Sequence, residues 1–169
     1  MSETNITVHF SSKSNDWCTP PWLYDLLSKE FPFELDAAAT AENSMCKWFY
    51  TEEMDALKQD WGRDAKTVWV NPPYGRLIGR FVKKAHEETI KCPALTVVML
   101  IPARTDTKWW HAHCAKGEIR LMKGRVKFVG FSEDGKRIDN SAPFPSAIVV
   151  FGERAKVGQT THVDYKEPK

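Results

Sequence analysis

Hydrophobic positions along the chain switch between two periods. Residues 19–31, "TPPWLYDLLSKEF", carry Leu23, Leu26, Leu27 and Phe31 at helical spacing, with Thr19 as N-cap and proline in the first turn. Residues 76–90 place Ile78, Phe81, Val82, Ala85 and Thr89 on one face and predict a second helix. "TDTKWWHAHCAK" predicts a third, capped by Thr105 or Asp106. Short apolar runs separate them: "FELD" ending at Asp36, "KWFYT" at 47–51, "TVWV" at 67–70, "ALTVVMLIP" at 94–102 and "SAIVVFG" at 146–152. The run at 94–102 is apolar throughout, as a strand buried on both sides requires. "EIRLMKGRVKFVGF" alternates about Lys123-Gly124 and predicts a late hairpin.

Strands alternating with helices, then a hairpin, predict an α/β fold: one Rossmann-like domain, mostly parallel, with an antiparallel edge hairpin. The expected layout is a flexible N-terminus over 1–14, a domain over 15–152 and a polar, frayed tail over 153–169.

Composition narrows the class. A chain of 169 residues, 42% hydrophobic and 27% charged, fits one core. No apolar stretch approaches the roughly 18 residues of a membrane span, and the N-terminus lacks the apolar centre of a signal peptide. Four scattered cysteines form no CxxC pair, so neither a disulfide framework nor a zinc site is expected, and a reducing cytoplasm is. The net charge of +2 hides an asymmetry: residues 1–70 carry 6 basic against 12 acidic side chains, residues 71–169 carry 18 against 10. A basic second half suits nucleic acid, although interleaving of the halves in space blurs such a difference.

The sharpest local signal is Asn71-Pro72-Pro73-Tyr74, straight after the buried strand at 67–70. Two prolines stop a strand and hold its end rigid. Open α/β sheets bind ligands at such strand ends. An asparagine oxygen beside a proline carbonyl offers two acceptors, matched to the two hydrogens of an exocyclic amine such as adenine N6. Accepting both localises the nitrogen lone pair, which then attacks a methyl sulfonium in line, with no metal and no covalent enzyme intermediate. Tyr74 is expected to stack on the base, worth about 1–3 kcal/mol. Cytosine N4 presents the same donors.

These four residues resemble the catalytic (D/N/S)PP(Y/F/W) motif of amino methyltransferases that use S-adenosylmethionine. With "DWCTPPWLYDLLSKEF", "LDAAATAENS", "FYTEEMDAL", "RTDTKWWH", "KGRVKF" and "APFPSAIVVF", the chain resembles the short, phage-encoded, Dam-type DNA N6-adenine methyltransferases over roughly residues 15 to 152. The resemblance implies a Rossmann-like methyltransferase fold, S-adenosylmethionine as methyl donor, and double-stranded DNA as partner, with the target adenine flipped out. It implies catalytic roles for Asn71, Pro72, Pro73 and Tyr74. Asp36, Ala37 and Ala38 fall at the first cofactor motif, where "DAAATAEN" replaces the usual glycine-rich loop. Trp17, Thr19 and Pro20 match the N-terminal cofactor block, Glu52 or Glu53 the ribose acid, and Asp55 a contact to the cofactor's adenine. Only 34 residues separate Asp36 from Asn71, so the helix between them must be short or missing.

No recognition domain fits before Asn71, so DNA contacts fall after it. Arg76, Arg104, Lys108, Lys123, Arg125, Lys127 and Arg137 are the candidates, most of them for phosphate. Lys83 and Lys84 read instead as a solvated helix face. The polar segment 130–144 reads as a loop suited to a groove. His111 and His113 point about 200° apart on a helix, which argues against a shared metal. A monomer is favoured, and GATC is the target that the family name suggests. Other NPPY enzymes (cytosine N4, RNA adenine) and a non-catalytic nucleic-acid-binding relative stand as the alternatives.

Overall fold

Strands with no polar face select a sheet covered on both sides. In the computed structural model, which describes residues 17–131, 134 and 136–169, two such strands lie at the sheet's centre. These are β3 (Thr67–Val70) and β4 (Thr96–Pro102), buried at every position. With β1 (Leu35–Asp36) and β2 (Trp48–Phe49) they form a parallel half in the order β2-β1-β3-β4. The other half continues with β8 (Ser146–Gly152), β5 (Glu118–Met122) and β9 (Thr160–Val163). β8 runs antiparallel to both β4 and β5, and β5 runs parallel to β9. β5 therefore ends on the same edge as β3 and β4.

The mainly parallel α/β architecture with an antiparallel hairpin is as expected, and three placements within it change. The antiparallel strand is interior, and the edge is β9, which lies within the stretch read as a frayed tail. A polar "TTHV" run is what an edge strand looks like, since much of it faces water. The predicted pairing across Lys123-Gly124 does not form either, because β8 and β9 already occupy both sides of β5. Gly124, at φ 75°, instead carries the chain to a separate two-stranded sheet. That sheet pairs β6 (Lys127–Phe131) with β7 (Arg137–Ser141), so much of the supposed loop at 130–144 is strand. The flexible N-terminus expected over 1–14 lies outside the described residues.

Helices cover both faces. α3 (Ile78–Lys91) buries Ile78, Phe81, Val82, Ala85 and Thr89, the predicted stripe, against Val68, Val70, Val97 and Met99. It also buries Glu88, whose carboxylate accepts from Trp61 N (2.8 Å) and Lys84 Nζ (2.6 Å). Lys84 is thus not on a solvated face: only 17% of its side chain is exposed, and it lies over the Trp61 ring. The helix between Asp36 and Asn71 is short, as the spacing requires: α2 is Trp61–Asp64. α1 (Pro21–Ser28) covers the opposite face, packing Leu23 and Leu27 with Trp69, Leu100 and Phe128. α4 (Lys108–Ala112) is capped by the Thr107 hydroxyl, not by Thr105 or Asp106.

One glycine is obligatory. Gly152 ends β8 at φ 94°, and a Cβ there would sit 1.8 Å from the Leu95 carbonyl oxygen.

Candidate active site

β1 is followed in sequence by β2 on one side and bordered by β3 on the other. The carboxyl ends of β1 and β3 therefore flank the topological switch point, where connections diverge and leave a crevice. Asp36–Ala38 and Asn71–Tyr74 stand on its two sides.

Alternation along β3 sends Trp69, and with it Asn71, to the face covered by α1. There the Asn71 amide nitrogen donates to the Trp17 carbonyl at 2.7 Å and the Thr19 hydroxyl at 3.1 Å. A carbonyl can only accept, so the NH2 end must face it, and the amide cannot be turned round. The Asn71 Oδ1 atom is then left buried with no partner. Thr19 serves here and not as a helix cap; Pro20 holds the cap position of α1 with no side-chain bond. Two other buried atoms among the described residues lack partners, Trp69 Nε1 and Ser146 Oγ. The indole sits among the Tyr24 and Phe33 rings, away from the strand end.

Pro72 is buried and Pro73 exposed, and Gly75, at φ 116°, turns the chain out of the motif toward α3. The Tyr74 hydroxyl donates to the Leu100 carbonyl at 3.2 Å, and burial pushes its phenol well above the ordinary range. Its ring is walled by Phe144 at 5.5 Å and Phe128 at 6.0 Å, both edge-on, and by Trp17 at 6.4 Å. Tyr74 is therefore a pinned wall of an aromatic cluster rather than a free stacking plate. Phe128 and Phe144 lie in the blocks "KGRVKF" and "APFPS", and the alternation of Val126 with Phe128 was the signal for the first.

Asp36 is 3% exposed, and burial pushes its carboxyl up to about 6 despite bonds from Ala38 N (3.2 Å) and Met45 N (3.1 Å). Those bonds fold residues 37–45 back over the strand end, so small side chains line it. Ala37 is fully buried and Ala38 half-buried. Glu52 and Glu53 are exposed after β2. Asp55 is turned onto its own chain, accepting from Leu57 N and pairing with Lys58 at 3.1 Å. Trp17, Thr19, Asn71 and Tyr74 are thus brought together, whereas Asp55 is already occupied.

The basic candidates divide. Arg76, Arg104, Lys108, Arg125 and Lys127 are exposed with no ion-pair partner among the described residues; Arg104 stands two residues past the end of β4, and Arg76 follows the Asn71–Gly75 turn after β3. Lys123 pairs with Asp164 and Arg137 with Asp139. The "HAH" histidines separate: His111 meets the Thr105 carbonyl at 2.7 Å, while His113 faces His86 Nδ1 at 3.0 Å. Trp110 is buried core. Among the described residues no three His, Cys, Asp or Glu side chains gather as a metal site, and no helix is long and apolar enough to cross a membrane.

A mainly parallel sheet with an incomplete polar group at its switch point is the layout of a Rossmann-like α/β protein with a ligand site there, and it is consistent with a methyltransferase fold. The family model described as DNA N-6-adenine-methyltransferase (Dam) matches residues 7–167, and the chain belongs to that family of enzymes. A protein of Escherichia phage T1, described as a DNA N-6-adenine-methyltransferase, is 41% identical over 166 residues, covering 88% of this chain and 67% of its own length.

Proposed function

We propose that the protein transfers a methyl group from S-adenosylmethionine to the N6 amine of an adenine flipped out of double-stranded DNA. The observation that carries this reading is the buried, unpartnered Asn71 Oδ1, held in place from behind by Trp17 and Thr19. A buried acceptor without a partner costs about 1–3 kcal/mol, which a ligand N–H repays. An amide fixed before the ligand arrives also needs no reorganisation.

The methyl donor supplies an electrophilic carbon on a sulfonium. The residues present fit it: small Ala37 and Ala38 at the end of β1, the block of Trp17, Thr19 and Pro20 across the crevice, and Glu53 exposed on the loop after β2. Asp36 shapes that loop through its bonds to Ala38 and Met45. Asn71 Oδ1 accepts one N–H of the target amine and the Pro72 carbonyl the other, which withdraws the nitrogen lone pair from the ring and makes it nucleophilic. Pro72 and Pro73 keep the two acceptors in register. Tyr74, pinned through Leu100, walls the base pocket with Phe128 and Phe144. Arg76, Arg104 and Lys108, near the carboxyl edge and with no ion-pair partner among the described residues, hold the phosphates; paired Lys123 and Arg137 contribute less.

Incubating the purified protein with duplex DNA and radiolabelled S-adenosylmethionine, then identifying the labelled nucleoside by mass spectrometry, tests the reading. N6-methyladenine in wild type and none in Asn71→Ala is the expected result. Label in N4-methylcytosine, or equal label in the variant, overturns it.

A further inference from the structure

Between α1, the start of β6 and the segment after β9, Trp22, Arg125, Lys127, Tyr165 and Glu167 line a hollow of about 190 Å³. It is built from three separate parts of the chain. Trp22 comes from α1, the two cations from the crossing between the sheets and the start of β6, and Tyr165 from the segment after β9. Tyr165 is not loosely placed: its hydroxyl accepts from Arg120 Nη1 at 3.1 Å, and Arg120 is itself buried and held by Glu118 and Glu30. Trp22 and Tyr165 are both partly buried and pack against the core cluster that holds Leu23, Leu27 and Phe128. Arg125 and Lys127 are exposed and have no ion-pair partner among the described residues, unlike Lys123 two residues before.

Aromatic rings packed on a core beside exposed cations that lack an ion pair among the described residues are the chemistry of a nucleotide: a π-face to stack and a phosphate to pair. The single acid, Glu167, disfavours a cluster of phosphates and suits the amine edge of a base. The volume falls below the roughly 300–1,000 Å³ of pockets that enclose a free small molecule, so the hollow fits one unit of a polymer. Its position fits the same strand. Along β6 the residues alternate, Phe128 turning inward to the Tyr74 and Trp17 rings at 6.0 and 5.4 Å while Lys127 turns outward. Thr19, three residues before Trp22, touches Asn71.

We propose that this hollow binds a nucleotide of the DNA flanking the target adenine, Trp22 and Tyr165 stacking its base while Arg125 and Lys127 pair its phosphate. The inference rests on the DNA reading above. Binding of a labelled mixed-sequence duplex, titrated with salt, tests it in wild type, Lys127→Ala, Arg125→Ala, Trp22→Phe and Trp22→Ala, each with a melting curve.

Lys127→Ala and Arg125→Ala are each expected to reduce the salt slope by about 1 with unchanged melting. Trp22→Ala is expected to weaken binding about tenfold, and Trp22→Phe to restore most of it. Methyl transfer at saturating DNA stays at the wild-type rate, with the loss in KM. Wild-type slopes and affinities in the exposed lysine and arginine variants overturn the hollow and leave the catalytic reading standing. A wild-type protein with no duplex affinity overturns both. Competition by adenosine monophosphate at concentrations matching the duplex also overturns it, by assigning the hollow to a free nucleotide.

Discussion

Two buried polar groups sit on the same face of this sheet and are treated in opposite ways. Arg120 has every nitrogen bonded: its guanidinium meets Glu118 at 2.7 Å, Glu30 at 2.6 Å and the Tyr165 hydroxyl, and lies over the Phe31 ring. Asn71 is half complete, its nitrogen end doubly bonded and its oxygen end buried without a partner. A group that only holds the fold together gains nothing from an open valence, because each unmade bond in the interior weakens it. A group that must grip a ligand keeps one. Trp69 Nε1 and Ser146 Oγ are also open, and Asn71 differs from them in standing at the strand end beside the switch point with its other end locked by two bonds.

The largest way to break the contrast is at Asn71. Asn71→Ala is expected to lower methyl transfer by at least about 100-fold, the scale seen when a preorganised polar contact to a reacting group is removed. Its stability should stay within about 1 kcal/mol of wild type, since an unsatisfied acceptor leaves together with the two bonds of the amide nitrogen. Single-turnover kinetics and a urea titration check the two halves.

Arg120→Ala should do the reverse. It leaves Glu118, 4% exposed, as an uncompensated buried charge, and a loss of about 3–5 kcal/mol is expected from chemical denaturation, with turnover intact at low temperature. Thr19→Val is a subtler cut. The Asn71 NH2 keeps Trp17 and loses one acceptor, so transfer should fall several-fold, equivalent to about 1 kcal/mol, with little change in melting.

The smallest effects are those of pH. Asp36 has its carboxyl raised by burial to about 6, above an unfolded value near ~3.9, so the fold prefers its protonated form. Its contribution to stability is fully present below the unfolded value and is lost as pH rises through about 6. His86 and His113 are both held below their ordinary range, chiefly by burial, so their contribution runs the other way, present above about 6.5 and lost on acidification. Asp36→Asn should therefore give a stability that rises more steeply between pH 4 and 7 (roughly the window between these values) than wild type. A wild-type pH profile in that variant counts against the buried charge.

How much of this was legible beforehand follows from what each signal depends on. The β3 and β4 strands and the stripe on α3 were readable because burial on fixed faces writes itself into periodicity, and NPPY was readable because two prolines leave few conformations. Strand order was not. A polar edge strand such as β9 resembles a tail, and only the filled neighbours of β5 forbid the hairpin about Gly124. A threonine before Pro-Pro fits a helix cap, but the partner of Thr19 lies 52 residues away, beyond any local pattern. Lys84 misled for the same reason, its acidic neighbour being buried by contacts with Trp61 rather than by helix spacing. Trp22 and Tyr165 carried no signal at all, because the hollow they wall joins segments more than a hundred residues apart.

The interior place of β8 bears on how the polypeptide matures. That strand is laddered along its length against β4 and shares four register pairs with β5, yet it comes from residues 146–152. Until the ribosome has passed that point, β4 presents a largely apolar edge with its hydrogen-bonding groups bare, a template for pairing between nascent chains. A product cut short before residue 146 is thus expected to aggregate rather than persist as a smaller working unit, because the sheet's centre closes only once β8 has been made.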